Sequence, residues 1–218
     1  FSLGRTQELV YLLHTIFEKG LVPTIPVYVD SPLSFNATAV FKRHTECYDL
    51  ETSAHILQNE DPLGFDKLTY ITEVEESKKL NDRQGPMMII SASGMAESGR
   101  ILHHLANNIE NPNNIIMMTG YCAEHTLGKR IIERNPEINI FGEPYKLKAE
   151  VVVFNSLSAH ADSDELIYYV NKFSRDKMKD IFLVHGEPDQ QEKFANRLTL
   201  NHFKSVKIPK KGEYFTIH

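Results

Sequence analysis

The stretch PMMIISASGMAESGRILHHLANNI, residues 86–109, decides the fold class. A short apolar run ends in the small residues Ser91, Ala92, Ser93 and Gly94, and apolar residues at helical spacing follow, from Ile101 to Ile109. The run is too short for a buried helix and reads as a buried strand, a turn and then a helix. The pattern recurs at once: NNIIMMTGY (113–121) is a second buried strand, and TLGKRIIERN (126–135) is the helix after it. Strands alternating with helices imply an α/β fold, a parallel Rossmann-like sheet with helices on both faces.

The same pattern extends toward the amino end. RTQELVYLLHTIFEKG (5–20) carries apolar residues at helical spacing and stops at Gly20. TIPVYVDSP (24–32) is a short β-rich run broken by Pro32, and SFNATAVFKRHTECY (34–48) reads as a helix. Residues 51–66 are polar and irregular and read as a helix-and-loop stretch. KLTYIT (67–72) is a strand, and EVEESKKLND (73–82) is a helix with a charged outer face. From about residue 136 the style changes. INIFGEPYKLKAEVVVF (138–154) is strand-rich, with Gly-Glu-Pro as a turn. Helix 163–174, strand 180–185, helix 189–203 and the terminal strands SVKIP and EYFTIH complete the chain. Two subdomains result, joined near 145–150.

Composition bounds the function. The 218 residues are 41% hydrophobic and 24% charged, the balance of an ordinary soluble globular protein. No apolar run approaches membrane-spanning length and no signal peptide opens the chain, so an intracellular, cytoplasmic setting is expected. The opening FSLGRTQELV lacks a methionine, which suggests a piece of something longer or an incompletely ordered start. The two cysteines, Cys47 and Cys122, form no CxxC pair, so a reducing compartment is expected rather than a disulfide framework. A net charge of -5 weighs against a plain nucleic-acid binder but leaves room for a local basic groove.

Chemistry is concentrated in the turns that follow strands. Ser91, Ser93 and Gly94 suit close approach of an anion to backbone N–H groups ahead of a helix, with Arg100 placed to neutralise it. The bland alternative is a tight turn that needs small residues. TGYCAEHTLGKRI (119–131) repeats this form: Thr126 suits a helix cap and Glu124 the helix dipole, while Lys129 and Arg130 lie along a backbone-binding groove or on a solvated face. His160, in SLSAHADSDEL (156–166), and His185, in FLVHGEPDQQ (182–191), each stand where a strand gives way to a turn. Two histidines so placed suggest a metal site or an acid–base pair, although a metal needs three or four protein ligands. His103 and His104 fall on a helix and read as structural or surface residues. The chain has no Walker signature, no GxGxxG and no GxSxG elbow.

In order along the chain stand GRTQEL, DSPLS, SASGM with GR and HH after it, GYCAEHTLG, SAHAD and LVHGE. Together these motifs resemble the β-CASP branch of the metallo-β-lactamase superfamily, zinc-dependent nucleases that process RNA, with some relatives acting on DNA. The resemblance is nearest to the RNA-cleaving group that includes the mRNA 3′-end-processing endonuclease. It implies that residues 1–148 form the inserted β-CASP domain, and that 149–218 form the carboxyl-terminal segment of an αββα metallo-β-lactamase domain. His160 then matches the family's motif B, a general acid or a stabiliser of phosphate charge. His185 matches motif C and ligates one of two zinc ions. The remaining ligands belong to an HxHxDH motif that this chain lacks. The resemblance implies two Zn2+ about 3.5–4 Å apart, with an in-line attack on the phosphodiester. It also implies single-stranded RNA held at Ser91, Ser93, Gly94, Arg100, Glu124 and Thr126, and an inactive chain when the HxHxDH half is absent. Relatives are often homodimers. Glycine is expected more often where His125 stands.

Two other readings compete. A non-catalytic RNA-binding scaffold of the same family would keep RNA binding without a metal centre. An unrelated nucleotide-binding α/β module would take mononucleotides instead of single-stranded RNA.

Overall fold

A computed structural model describes residues 4–57, 61–154 and 161–216. The chain divides into two compact units, Phe1–Ser158 and Ala159–His218.

The first unit opens with α1 (Arg5–Glu18), β1 (Val27–Asp30) and α2 (Pro32–Arg43), followed by a 3-10 turn over Thr45–Cys47. Next come α3 (Leu50–Leu57), β2 (Leu68–Ile71), α4 (Val74–Leu80), β3 (Met88–Ser91), α5 (Ile101–Asn108), β4 (Ile115–Met118) and α6 (Leu127–Ile132). The hairpin β5 (Glu137–Ile140) and β6 (Glu143–Lys146) and then β7 (Glu150–Val153) follow. The strand β1, Val-Tyr-Val-Asp, is buried along its whole length, as the central strand of a parallel sheet must be. Its neighbours are β2 on one side and β3 on the other, giving the order β2-β1-β3, with Asp30 level with Ile71 and Ser91. A second parallel pair joins β4 to β7. This is the expected α/β arrangement of parallel sheets and helices.

Several local readings shift. Pro32 does not simply end a strand; it opens α2, where its missing N–H is not needed, while Ser31 accepts from Ser34 N at 3.2 Å as the cap. The turn of the β5–β6 hairpin is Phe141-Gly142, one residue earlier than Gly-Glu-Pro. Both residues have positive φ (55° and 87°), as a two-residue primed turn requires. The main core packs Leu105, Ile109, Leu127, Ile131, Ile138, Ile140 and Val151 between α5, α6 and the strands. α1 and α2 meet through a buried polar contact: Gln7 Nε2 donates to Thr38 Oγ1 at 2.9 Å and to Ser34 O at 3.3 Å.

The second unit holds α7 (Ser163–Val170), β8 (Ile181–Phe182), α8 (Pro188–Leu200) and β9 (Val206–Lys207), with β8 and β9 parallel. Asp162 caps α7 by accepting from Asp164 N and Glu165 N, both at 2.8 Å, and Glu165 closes the capping box. Its core is Ile167, Leu198 and Phe203. The last expected strand, EYFTIH, is not one over its described residues 213–216. Phe215 instead packs its ring against Phe182, with centroids 5.0 Å apart. Side-chain burial takes the place of a backbone ladder. Among the described residues no helix is long and apolar enough to cross a membrane, and both cysteines are free thiols.

Candidate functional site

In the first unit, Asp30 and Ser91 end their strands side by side, and the turns after β3 and β4 carry the sequence-predicted residues. Asp30 organises this end of the sheet. Its side chain is fully buried and accepts from Arg100 Nη1 at 2.6 Å, from His104 Nε2 at 2.7 Å and from the Ser77 hydroxyl. Burial pushes the carboxyl up, but the hydrogen bonds from His104, Ser77 and Arg100 outweigh it, and Asp30 is held below the usual carboxylate range. The backbone joins in: Ser91 Oγ donates to Asp30 O at 3.1 Å. The other nitrogen of His104 lies 2.9 Å from Asn81 Oδ1. Asp30 thus ties together β1, β3, α4 and α5.

Arg100 stands at the cap of α5 with its guanidinium turned inward. Besides Asp30, it donates to Thr72 O at 2.6 Å and Ile71 O at 3.3 Å. These bonds turn the guanidinium toward Asp30 and the 71–72 backbone, where its charge offsets the buried carboxylate. The Ser91–Arg100 segment also differs from a bare strand-to-helix junction. Ser93 Oγ accepts from Glu97 N at 3.2 Å and Ser98 N at 3.3 Å, and Ser93 N donates to Ser98 O at 3.0 Å, closing a compact turn before α5 begins. Gly94 is exposed at the tip of that turn. Gly99 has φ 86°, and a Cβ there would lie 2.5 Å from Ala92 O, so glycine is required for closure.

The structure brings this turn against the second predicted segment. Gly128 N donates to Met95 O at 2.8 Å, and Leu127 N donates to the Glu97 carboxylate. Glu97 therefore takes a helix-start amide of α6, while Thr126 caps the same helix by accepting from Lys129 N at 3.2 Å. Glu124 is exposed and pairs with Lys129 at 2.9 Å; that contact, with Glu133 beyond it, raises the Lys129 ammonium above its usual range. Burial pushes the Cys122 thiol up against the opposing pull of Lys129. A thiol so held is a packing group rather than a nucleophile. The turn that holds Ser93 and Gly94 thus packs directly against the start of α6, which Thr126 caps.

Of the two candidate histidines, His160 lies outside the described residues. His185 is exposed on the loop after β8, in the left-handed region at φ 71°, and Gln191 Nε2 donates to its carbonyl at 3.4 Å. Among the described residues no three His, Cys, Asp or Glu side chains come together to hold a metal. The described residues do not by themselves fit a zinc centre.

Comparison with known proteins matches these segments in order. The profile described as the Beta-Casp domain covers residues 6–131, more than half of the chain. The chain belongs to the β-CASP family. A second profile, the Zn-dependent metallo-hydrolase RNA specificity domain, covers residues 144–209. The chain is 34% identical to Ribonuclease TTHA0252 of Thermus thermophilus over 98% of its own length and 48% of that protein. It is 29% identical to Transcription termination factor FttA of Methanosarcina mazei, over 95% of this chain and 33% of that one. Integrator complex subunit 11 of Gallus gallus is 25% identical across the whole of this chain and 34% of its own. The chain therefore spans from a third to about half the length of these relatives.

Asp30 and His104 are the residues that inspection of the sequence missed as a pair. The available signal was a carboxylate ending VYVD, an otherwise β-rich run that reads as a buried strand, where a charge needs a buried partner.

Proposed function

We propose that the protein carrying this chain is a zinc-dependent nuclease that hydrolyses phosphodiester bonds of single-stranded RNA in the cytoplasm. The observation that carries this reading is the joint match of the two profiles, β-CASP and RNA-specificity metallo-hydrolase, spanning residues 6–209 in one order. In this reading residues 1–148 are the β-CASP domain and 149–218 the segment that completes the metallo-hydrolase domain. His160 serves as general acid to the leaving ribose oxygen, and His185 as one zinc ligand. Ser91, Ser93, Gly94, Glu124 and Thr126 line the RNA path. Arg100 acts behind them by holding Asp30 and the turn in place. The 218 residues alone are inactive in this reading, since they carry one proposed zinc ligand.

The test uses the full-length protein loaded with zinc and 5′-labelled single-stranded RNA, beside His160→Ala and His185→Ala variants and the 218-residue chain. Cleavage by the full-length protein, lost in both variants, supports the nuclease. A wild type that takes up no zinc when the metal is supplied, and binds the RNA without cleaving it, overturns the nuclease and leaves an RNA-binding scaffold. Cleavage by the 218-residue chain overturns its assignment as inactive.

A further inference from the structure

Beside the α6 turn one cation, Arg130, has no ion-pair partner among the described residues. Arg130 is half-buried, its Nε is fully shielded from solvent, and no hydrogen bond reaches that atom. No ion pair engages its guanidinium among the described residues, whereas Lys129 next to it is shared between Glu124 at 2.9 Å and Glu133 at 3.6 Å. A partly desolvated guanidinium without an acceptor is unfavourable, and the usual remedy is a carboxylate or phosphate oxygen. Arg130 lines an open cavity of about 270 Å³ together with Glu124, His125, Lys129 and Glu133.

His125 supplies an independent observation. It is exposed and sits at φ 69°, a conformation costing a side-chain-bearing residue on the order of 1 kcal/mol. A strained residue on the wall of a cavity is better explained by what enters the cavity than by packing, because its exposed ring contributes little to the core. The charges in the cavity also limit the ligand. Two carboxylates face two cations, and Lys129 already serves both acids. One cation remains, which suits a singly charged group; a polyphosphate would meet Glu124 and Glu133.

We infer that Arg130 and His125 form a phosphate subsite for RNA, with Arg130 pairing one backbone or terminal phosphate and the His125 ring bordering the adjoining nucleotide. The inference rests on the proposed RNA-cleaving function and adds a site to it. Arg130 provides the charge, the left-handed turn aims the imidazole into the same cavity, and Lys129 keeps the two acids away from the anion.

Fluorescence anisotropy of the full-length protein, with metal chelated to stop cleavage, tests this on a labelled ten-nucleotide oligouridylate carrying a 5′ hydroxyl or a 5′ phosphate. Arg130→Met keeps the apolar stem and removes the charge. The expected result is binding about five- to tenfold weaker, with the slope of log affinity against log salt reduced by about 0.7, one lost phosphate contact on a single strand. Arg130→Lys should restore most of the salt slope. Equal losses on both oligonucleotides assign the subsite to an internal phosphodiester; a loss confined to the 5′-phosphorylated one assigns it to the terminal phosphate. Wild-type affinity and slope in Arg130→Met, with unchanged thermal unfolding, overturn the subsite. If the wild type binds neither oligonucleotide, the RNA reading fails, and titration with inorganic phosphate then decides the subsite. A saturable shift of the His125 ring resonance that Arg130→Met abolishes upholds it, and no shift overturns it.

Discussion

The His104 imidazole donates from Nε2 to the fully buried carboxylate of Asp30 at 2.7 Å, and Arg100 donates to the other oxygen of that carboxylate at 2.6 Å. Two cationic-capable groups converge on one acid at the carboxyl end of the central strand. Removing the acid takes from each its carboxylate acceptor in a protein interior and leaves the Arg100 charge without its counter-ion. Asp30→Ala is expected to lower unfolding stability by about 3 kcal/mol, the low end for a broken buried pair because Arg100 keeps partial access to water. Urea unfolding of wild type and variant measures it. A loss below about 1 kcal/mol would show that the cluster contributes no more than a surface ion pair.

The same carboxylate sets a dependence on pH. Burial alone would raise Asp30, but hydrogen bonds from His104, Ser77 and Arg100 hold its folded value below the unfolded one. The stability it brings is therefore complete above the unfolded aspartate value, about 3.9, and is lost as pH falls through the folded value. The stability gap between wild type and Asp30→Asn should stay constant from about pH 7 to pH 5 and narrow below about pH 4. A gap that is flat down to pH 3 would remove the linkage to Asp30.

How much of this could be read beforehand depends on whether the signal was local. β1 and β3 were legible because a short β-rich run bounded by turn residues is a local pattern, and the whole α/β alternation follows from it. The motif turns were legible as positions, since Ser93, Gly94 and Thr126 belong to strand–turn–helix boundaries. Their bonding was not legible. Glu97 reaches a helix thirty residues away, and His104 reaches Asp30 across seventy-four residues. His104 lies on a helix with ordinary periodicity, so only the packed sheet reveals that it faces a carboxylate. Arginine after a turn of small residues suits a phosphate, and only the packed sheet reveals that Arg100 also meets Asp30. Pro32 was ambiguous because proline ends a strand and opens a helix equally well.

Gly128 carries the contact between the two motif turns. A Cβ there would lie 2.7 Å from Cys122 Sγ, 2.8 Å from Met95 O and 3.0 Å from Met118 Cε, with the backbone oxygen unable to yield. Gly128→Ala should push α6 away from the Ser93–Gly99 turn at a cost of about 1–3 kcal/mol, despite alanine's better helix propensity. Thermal unfolding reads the sign: a higher midpoint in the alanine variant would mean the two turns are not held as closely as described.

Gln7 joins α1 to α2. It is almost fully buried, accepts from Gly4 N at 2.9 Å and donates to Thr38 Oγ1 and Ser34 O. Gln7→Leu fills the volume but leaves Gly4 N without its acceptor and Ser34 O with one donor fewer. The expected loss is about 1–3 kcal/mol, seen by urea unfolding, since unmade buried hydrogen bonds cost more than the added apolar contact returns. Unchanged stability would mean water replaces the amide.

The backbone at His125 permits a comparison free of the side chain's own role. At φ 69° an alanine keeps the steric conflict between Cβ and carbonyl, whereas a glycine does not. Both substitutions remove the imidazole, so any difference between them reports the backbone alone. His125→Gly is expected to be more stable than His125→Ala by about 1 kcal/mol, after allowing for the larger entropy that glycine loses on folding. Paired thermal unfolding curves test this. Equal midpoints would mean that the 123–126 turn relaxes out of the left-handed region, and with it would go the strain argument for a ligand at the cavity shared by His125 and Arg130.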